Sequence, residues 1–197
     1  MNFNFSKDII LENERAILRP LTMQNLHQLL PVATENEKLV QFSPVKIHSE
    51  PLLKKHIELA LEERAFGIRY AFSIFDKKEN AFAGSTSFGM ISNKDDKLHI
   101  GWTWIGKKFQ RTGLNRNCKL LLLTYAFEEL KCHRVDFQTD ERNTVSRTAI
   151  EKLGATFEGI LREDILMTDG FRRSSVYYSI LASEWPKIKN KLLRSPV

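Results

Sequence analysis

A strand, a basic glycine-containing turn, a long amphipathic helix and a second strand follow one another between residues 97 and 139, and this order constrains the fold more than any other feature. Over 97–105 the segment KLHIGWTWI alternates as a strand, with Leu98, Ile100, Trp102 and Trp104 on one face and His99, Gly101, Thr103 and Ile105 on the other. Over 113–130 the apolar positions Leu114, Cys118, Leu121, Leu122, Tyr125 and Ala126 recur at helical spacing. A short strand returns at 135–139. Strand, helix, strand is a βαβ unit, whose crossover makes its two strands parallel.

The flanking sequence supplies hairpins and shorter helices. Residues 16–21 read as a strand closed by Pro20, and a helix with Thr22 at its N-cap runs through Leu26, Leu29 and Leu30. A helix over 49–66 has Ser49 as cap, Pro51 in its first turn and Gly67 as its stop. The β-rich runs 69–75 and 82–90 form a hairpin about the polar turn 76–80. Asn143 caps a helix over 144–153 that Gly154 ends. Strands at 157–167 and 174–182 close around the turn 168–170, and a basic helix begins at 183 in a terminal segment that runs to 197. The expected fold class is α+β: a mixed, mainly antiparallel sheet with helices on both faces and one parallel βαβ unit. At 197 residues with no linker-like tract, the whole chain, 1–197, reads as a single domain.

Charge narrows the function. The chain has 30 Lys and Arg against 24 Asp and Glu, a formal charge of +6, and all of that excess lies in residues 98–197. A phosphate-bearing ligand, nucleic acid or an anionic membrane would each suit such a half. Five cations (Lys107, Lys108, Arg111, Arg116, Lys119) and no acid fall within 107–119, around a helix start. Aligned peptide dipoles and unpaired N–H groups already make a helix start positive, so cations there are unfavourable unless an anion joins them. The pattern predicts an anion held by backbone N–H groups of the Gly-containing turn with Arg and Lys around it, in preference to a merely solvated basic patch.

Other chemistries lack sequence support. Cys118 and Cys132 are too few for a disulfide framework or a zinc site, so no metal is expected. There is no Walker A loop, no dinucleotide G-x-G-x-x-G and no H-E-x-x-H. Neither a secretory leader nor a bilayer-length apolar stretch is visible, which makes the cytoplasm the expected location and membrane partners unexpected.

Gln110-Arg111-Thr112-Gly113-Leu114-Asn115 after an apolar strand resembles the Q/R-x-x-G-x-G/A motif of the GNAT acyltransferases. Leu18-Arg19-Pro20-Leu21, Ile100-Gly101-Trp102-Thr103-Trp104-Ile105, Asn143-Thr144-Val145-Ser146, Lys152-Leu153-Gly154-Ala155 and Phe157-Glu158-Gly159-Ile160-Leu161-Arg162 resemble its RimJ/RimL-like branch, in order, over about 9–186. The resemblance implies an acetyl-CoA-dependent N-acetyltransferase that moves an acetyl group directly to a primary amine of a protein N-terminus or a small molecule. It implies pyrophosphate held by residues 110–115, backbone N–H groups around Trp104 and Ile105 at the carbonyl oxygen, and Asn143 on the pantetheine arm. Ser146 is implied as a substitute acid or a hydroxyl that anchors the thiol. For Asn143 the first choice is the helix cap, which explains its side chain by helix chemistry alone, with its NH₂ group left for the pantetheine arm.

Four positions depart from the family pattern. Arg111 stands where many relatives have Gly, and Asn115 where the motif ends in Gly or Ala. Ile150 occupies the place of a Tyr that protonates the leaving thiolate, and His99 that of a Glu base. For the base the expectation is His99, because an unperturbed imidazole near pKa 6.5 is largely neutral at cellular pH. Glu163 and Asp164 are the fallback. Acetyl-CoA and an amine acceptor are the expected partners, with a homodimer compatible and nucleic acid not expected. The contrasting reading is a non-catalytic sensor or nucleic-acid-binding module that uses the same basic patch.

Overall fold

The computed structural model describes residues 1–194, so residues 195–197 of the terminal basic segment lie outside the described residues. Strands β1 (Leu11–Glu12) and β2 (Ala16–Pro20) lead into helices α1 (Asn25–Thr34) and α2 (Glu50–Ala65). Strands β3 (Arg69–Asp76), β4 (Ala81–Ser92) and β5 (Lys97–Ile105) follow, then α3 (Leu114–Thr124), β6 (Arg134–Asp140), α4 (Thr144–Leu153), β7 (Thr156–Leu166), β8 (Arg172–Leu181) and α5 (Trp185–Arg194). The eight strands form one sheet in the order β1-β2-β3-β4-β5-β6-β8-β7. All pairs are antiparallel except β5 with β6, the pair joined through α3. The α+β class and the parallel βαβ unit are therefore present.

Two apolar clusters flank the sheet. The larger joins β2–β6 and β8 to α3, α4 and α5 through Leu98, Ile100, Leu114, Leu122, Phe137, Ile150 and Ile188. The smaller holds α1 and α2 against the other face through Leu29, Leu53, Ile57, Ala71 and Trp104. Burying these two faces is the main stabilising term for the sheet.

The first helix begins two residues later than its sequence suggests, with Gln24 at the cap position. Thr22 is not its cap; the Asn25 carboxamide instead reaches back to accept from the Thr22 N–H at 2.9 Å, closing a turn before the helix starts. The helix also continues through Pro31 to Thr34. At the far end of α3 the chain widens into a π-turn over Tyr125–Glu129, with Leu130 N–H donating to the Tyr125 carbonyl at 3.0 Å.

The alternation expected for β5 fails at one residue. Ser85 and Ser87 of β4 face Trp104 and Gly101, so two steps along β4 match three along β5. The extra residue makes a bulge, with Trp102 at φ 49°. Past the bulge the faces exchange: Leu98, Ile100 and Ile105 enter the larger cluster, while Trp104 enters the smaller one with α1 and α2. Trp104 does not share a face with Leu98 and Ile100. Thr103 turns instead toward α3.

Candidate active site at the β5–β6 opening

Strands β5 and β6 pair only at Lys97, Leu98 and His99, opposite Arg134, Val135 and Asp136. Beyond His99 the bulge carries β5 away from β6. The edge of residues 101–105 that faces away from β4 is left without a strand partner, and a wedge opens toward the start of α3. Such a backbone edge, rich in unpaired N–H and C=O groups, needs a ligand or water to satisfy it.

The turn before α3 has the conformation of an anion cradle. Arg111 (φ 60°) and Gly113 (φ 84°) both lie in the left-handed region, which bends successive N–H groups toward one side. No side chain caps α3, and its first turn contains no acid. Its leading N–H groups are thus free of side-chain acceptors and suit a phosphate. The turn is braced from beneath. Gln110 donates through Nε2 to the Ile105 carbonyl at 2.8 Å, and the Thr112 hydroxyl donates to the Phe109 carbonyl at 2.7 Å. Arg15 spans the completely buried Asp76 with two bonds of 2.9 and 2.8 Å and reaches Thr112 Oγ1 at 3.3 Å.

The five cations of 107–119 are not gathered at this turn. Lys108 pairs with Glu79 at 3.0 Å, Arg116 reaches the Leu192 carbonyl near the end of α5, and Lys119 is buried under the sheet. Leu114 is fully buried, so only its backbone can meet a ligand, while Arg111 stays exposed. Asn115 places its carboxamide oxygen in the interior without a partner. The cradle is therefore mostly backbone.

Across the wedge, Asn143 caps α4: its Oδ1 accepts from the Ser146 N–H at 3.1 Å, which leaves its NH₂ group for another partner. Gly154 ends that helix at φ 101°. Ser146 is half-buried in the first turn of α4, and Ile150 is packed into the larger cluster.

His99 stands on the opposite side of the sheet, at the closed end of the wedge, and is 4% exposed. Its Nδ1 lies 2.8 Å from Asp136 Oδ1. An ionised carboxylate only accepts, so Nδ1 carries the hydrogen and donates it to Asp136, and in the neutral ring Nε2 is the nitrogen with the free lone pair. A side chain at Gly101 would come within 2.4 Å of that Nε2, so the glycine is what keeps the imidazole in place. The Trp102 ring meets His99 edge-on at 5.6 Å and carries the Arg69 guanidinium over its face at 5.2 Å; Arg69 is in turn paired with Glu63 of α2 at 2.5 Å. Nearby His56 is buried, and desolvation followed by the Arg69 charge lowers its pKa to about 4, which keeps it neutral. Of the fallback acids, Asp164 accepts from Gln138 Nε2 at 2.8 Å and Glu163 is exposed.

Sequence reasoning missed the Asp136 partner of His99, and it placed Lys119 among the cations of the helix start rather than in the interior. Asp136 is set opposite His99 by strand pairing across 37 positions, which leaves no local trace. Lys119 had a trace: it shares the helical spacing of Leu122, Leu123 and Ala126, all buried. Among the described residues no cluster of His, Cys, Asp and Glu could hold a metal ion, and no helix is long and apolar enough to cross a membrane.

Comparison with known proteins decides the family. The acetyltransferase (GNAT) domain profile matches residues 15–156. The chain belongs to the GNAT family. It is 36% identical over 107 residues to YdaF of Bacillus subtilis (strain 168), provisionally named a ribosomal N-acetyltransferase; the match covers 54% of this chain and 57% of YdaF. It is 27% identical over 161 residues to YjcK of the same organism, provisionally named an N-acetyltransferase, covering 79% of this chain and 88% of YjcK. An acetyltransferase structure from T. thermophilus, also provisionally named, superposes with a TM-score of 0.84 at 33% identity over 93% of this chain and 95% of that one. A GCN5-related N-acetyltransferase from Brucella melitensis shares the fold, with a TM-score of 0.89 at 23% identity over 95% and 85% of the two chains. These likenesses make this GNAT chain an N-acetyltransferase and are consistent with the RimJ/RimL-like branch.

Proposed function

We propose that this GNAT chain uses acetyl-CoA as donor and transfers the acetyl group directly to a primary amine, with a protein N-terminus or a small amine as acceptor. The observation that carries this reading is the opening between β5 and β6, which leads from an uncapped, acid-free helix start to the buried His99–Asp136 pair. In it the pyrophosphate lies on the backbone of residues 110–115, the pantetheine runs along the unpaired edge of β5 past Trp104 and Ile105, and the Asn143 NH₂ group meets that arm. Backbone N–H groups of the same edge stabilise the negative charge that develops on the carbonyl oxygen. His99 takes the amine proton at Nε2, directly or through a water, while Asp136 holds the ring and offsets the charge it gains. Ser146 is the hydroxyl beside the thiol. The ribosomal term in the YdaF name favours a protein N-terminus among the acceptors.

A thiol-release screen over N-terminal peptides and small amines tests the reading. Release of CoA thiol that requires one of these amines is the expected result. No release with any amine, in protein shown to bind acetyl-CoA, would contradict acetyl transfer by this site.

A further inference from the structure

Lys119 is a buried cation with no part in the chemistry proposed for His99, Asn143 and Ser146. It lies on α3 beneath the β5 bulge, with the residue 6% exposed and no carboxylate in contact among the described residues. Its ammonium donates to Thr103 Oγ1 at 2.7 Å and to Thr86 Oγ1 at 3.4 Å, and the two hydroxyls are 2.8 Å apart. A buried lysine is costly unless it is paired, so one held only by neutral hydroxyls calls for an explanation.

Its placement gives one. Thr103 is in the middle of the unpaired edge of β5, is exposed, and turns to the α3 side of the sheet, as its bond to Lys119 shows. Ile150 of α4 packs into the apolar cluster on that same side, where the family resemblance puts a tyrosine acid. The thioester path proposed above runs along this edge of β5, where Thr103 is the residue between Trp102 and Trp104 whose hydroxyl turns to the α3 side.

Resting on the acetyl-CoA reading, we propose that Thr103 and Lys119 supply the proton to the departing thiolate, with Thr103 touching the sulfur and Lys119 positioned behind it. As the amine nitrogen bonds to the carbonyl carbon, the carbon–sulfur bond breaks and leaves its electron pair on sulfur. The Thr103 O–H gives its proton to that sulfur, and the Lys119 ammonium replaces the proton on Oγ1. Lys119 is left neutral and recovers a proton from solvent, while the proton lost by the amine goes to His99. The products are the amide and the CoA thiol. Burial lowers the Lys119 pKa to about 8, which suits exchange with a thiol, and the adjacent Cys118, whose own pKa burial raises to about 12, is a neutral neighbour. From the strands packed against it, only the neutral hydroxyls of Thr86 and Thr103 bond to Lys119.

The test is the ionisation of CoA bound to the wild type, Lys119→Met and Thr103→Val, read from the ultraviolet absorbance of the thiolate against desulfo-CoA complexes. In the wild type the bound thiol should ionise about one pH unit lower than in Lys119→Met, a tenfold shift in its acid constant, and Thr103→Val should move in the same direction. Turnover should fall by about 10²-fold in both variants, and Thr103→Ser should restore it. Thr103 is exposed, so its valine variant tests the idea even if Lys119→Met fails to fold. If CoA fails to bind the wild type, the acetyl-CoA reading falls and this proposal with it. If CoA binds but ionises alike in the wild type and the variants, the relay alone is overturned.

Discussion

The two sides of β5 treat a buried basic group in opposite ways. On the α2 side, His99 meets a carboxylate, Asp136, at 2.8 Å. On the α3 side, Lys119 meets two hydroxyls and no acid among the described residues. One group is anchored by a hydrogen-bonded carboxylate; the other is governed by desolvation, which lowers its pKa to about 8. In the proposed mechanism a single strand thus separates the proton acceptor, held in orientation, from the proton donor, made more acidic, as an acyl transfer that removes one proton and delivers another requires.

The largest effect comes from a buried charge that has its partner. Arg15→Ala leaves the completely buried Asp76 unpaired and should destabilise the protein by about 3–5 kcal/mol, measured by denaturant unfolding. It should also loosen the turn that Arg15 braces through Thr112 and weaken acetyl-CoA binding. If stability is unchanged, partnered and unpartnered buried charges do not differ here as argued.

Next is His99→Ala, for which thiol release with a competent amine should fall by about 10²–10³-fold while acetyl-CoA affinity is retained. An equal loss of affinity and rate would place His99 in the support of the fold.

Lys119→Met should change stability in the opposite direction from Arg15→Ala. The unfolded lysine titrates near 10.5 and the folded one at about 8, so the unfolded state holds more protons between those values and wild-type stability rises with pH across that window. Below about pH 8 the buried charge costs up to about 3 kcal/mol. The variant should gain up to that amount at neutral pH, lose the advantage by about pH 10.5, and leave the two threonine hydroxyls bonded to each other. Unfolding curves at both pH values check this; a variant that is less stable at neutral pH would show the ammonium to be a structural support. Ser146→Ala should have the smallest effect, about tenfold or less in turnover, read from the same thiol-release assay.

The parts of this arrangement that were legible in the sequence are those set by local chemistry. Asn143 and Gly154 bound α4 because a side-chain acceptor and a left-handed residue do those jobs wherever they occur. Gly113 before an amphipathic run marked the helix start for the same reason. The bulge at Trp102 was not legible, since it exists only relative to the residues of β4 that it skips, and it reversed the face assigned to Trp104. The cation-rich segment was misleading as a cluster because spacing along the chain does not show direction: Lys108, Arg116 and Lys119 leave the turn by three different routes. What remains at the anion cradle is backbone, which composition does not reveal.

That cradle is the point on which the account depends, and calorimetric titration of acetyl-CoA into the wild type and Gly113→Asp tests it directly. The account predicts saturable binding to the wild type and its loss in the variant, where a carboxylate would sit at the cap of α3 and occupy the N–H groups meant for phosphate. No binding to the wild type, or equal binding to both proteins, would contradict it.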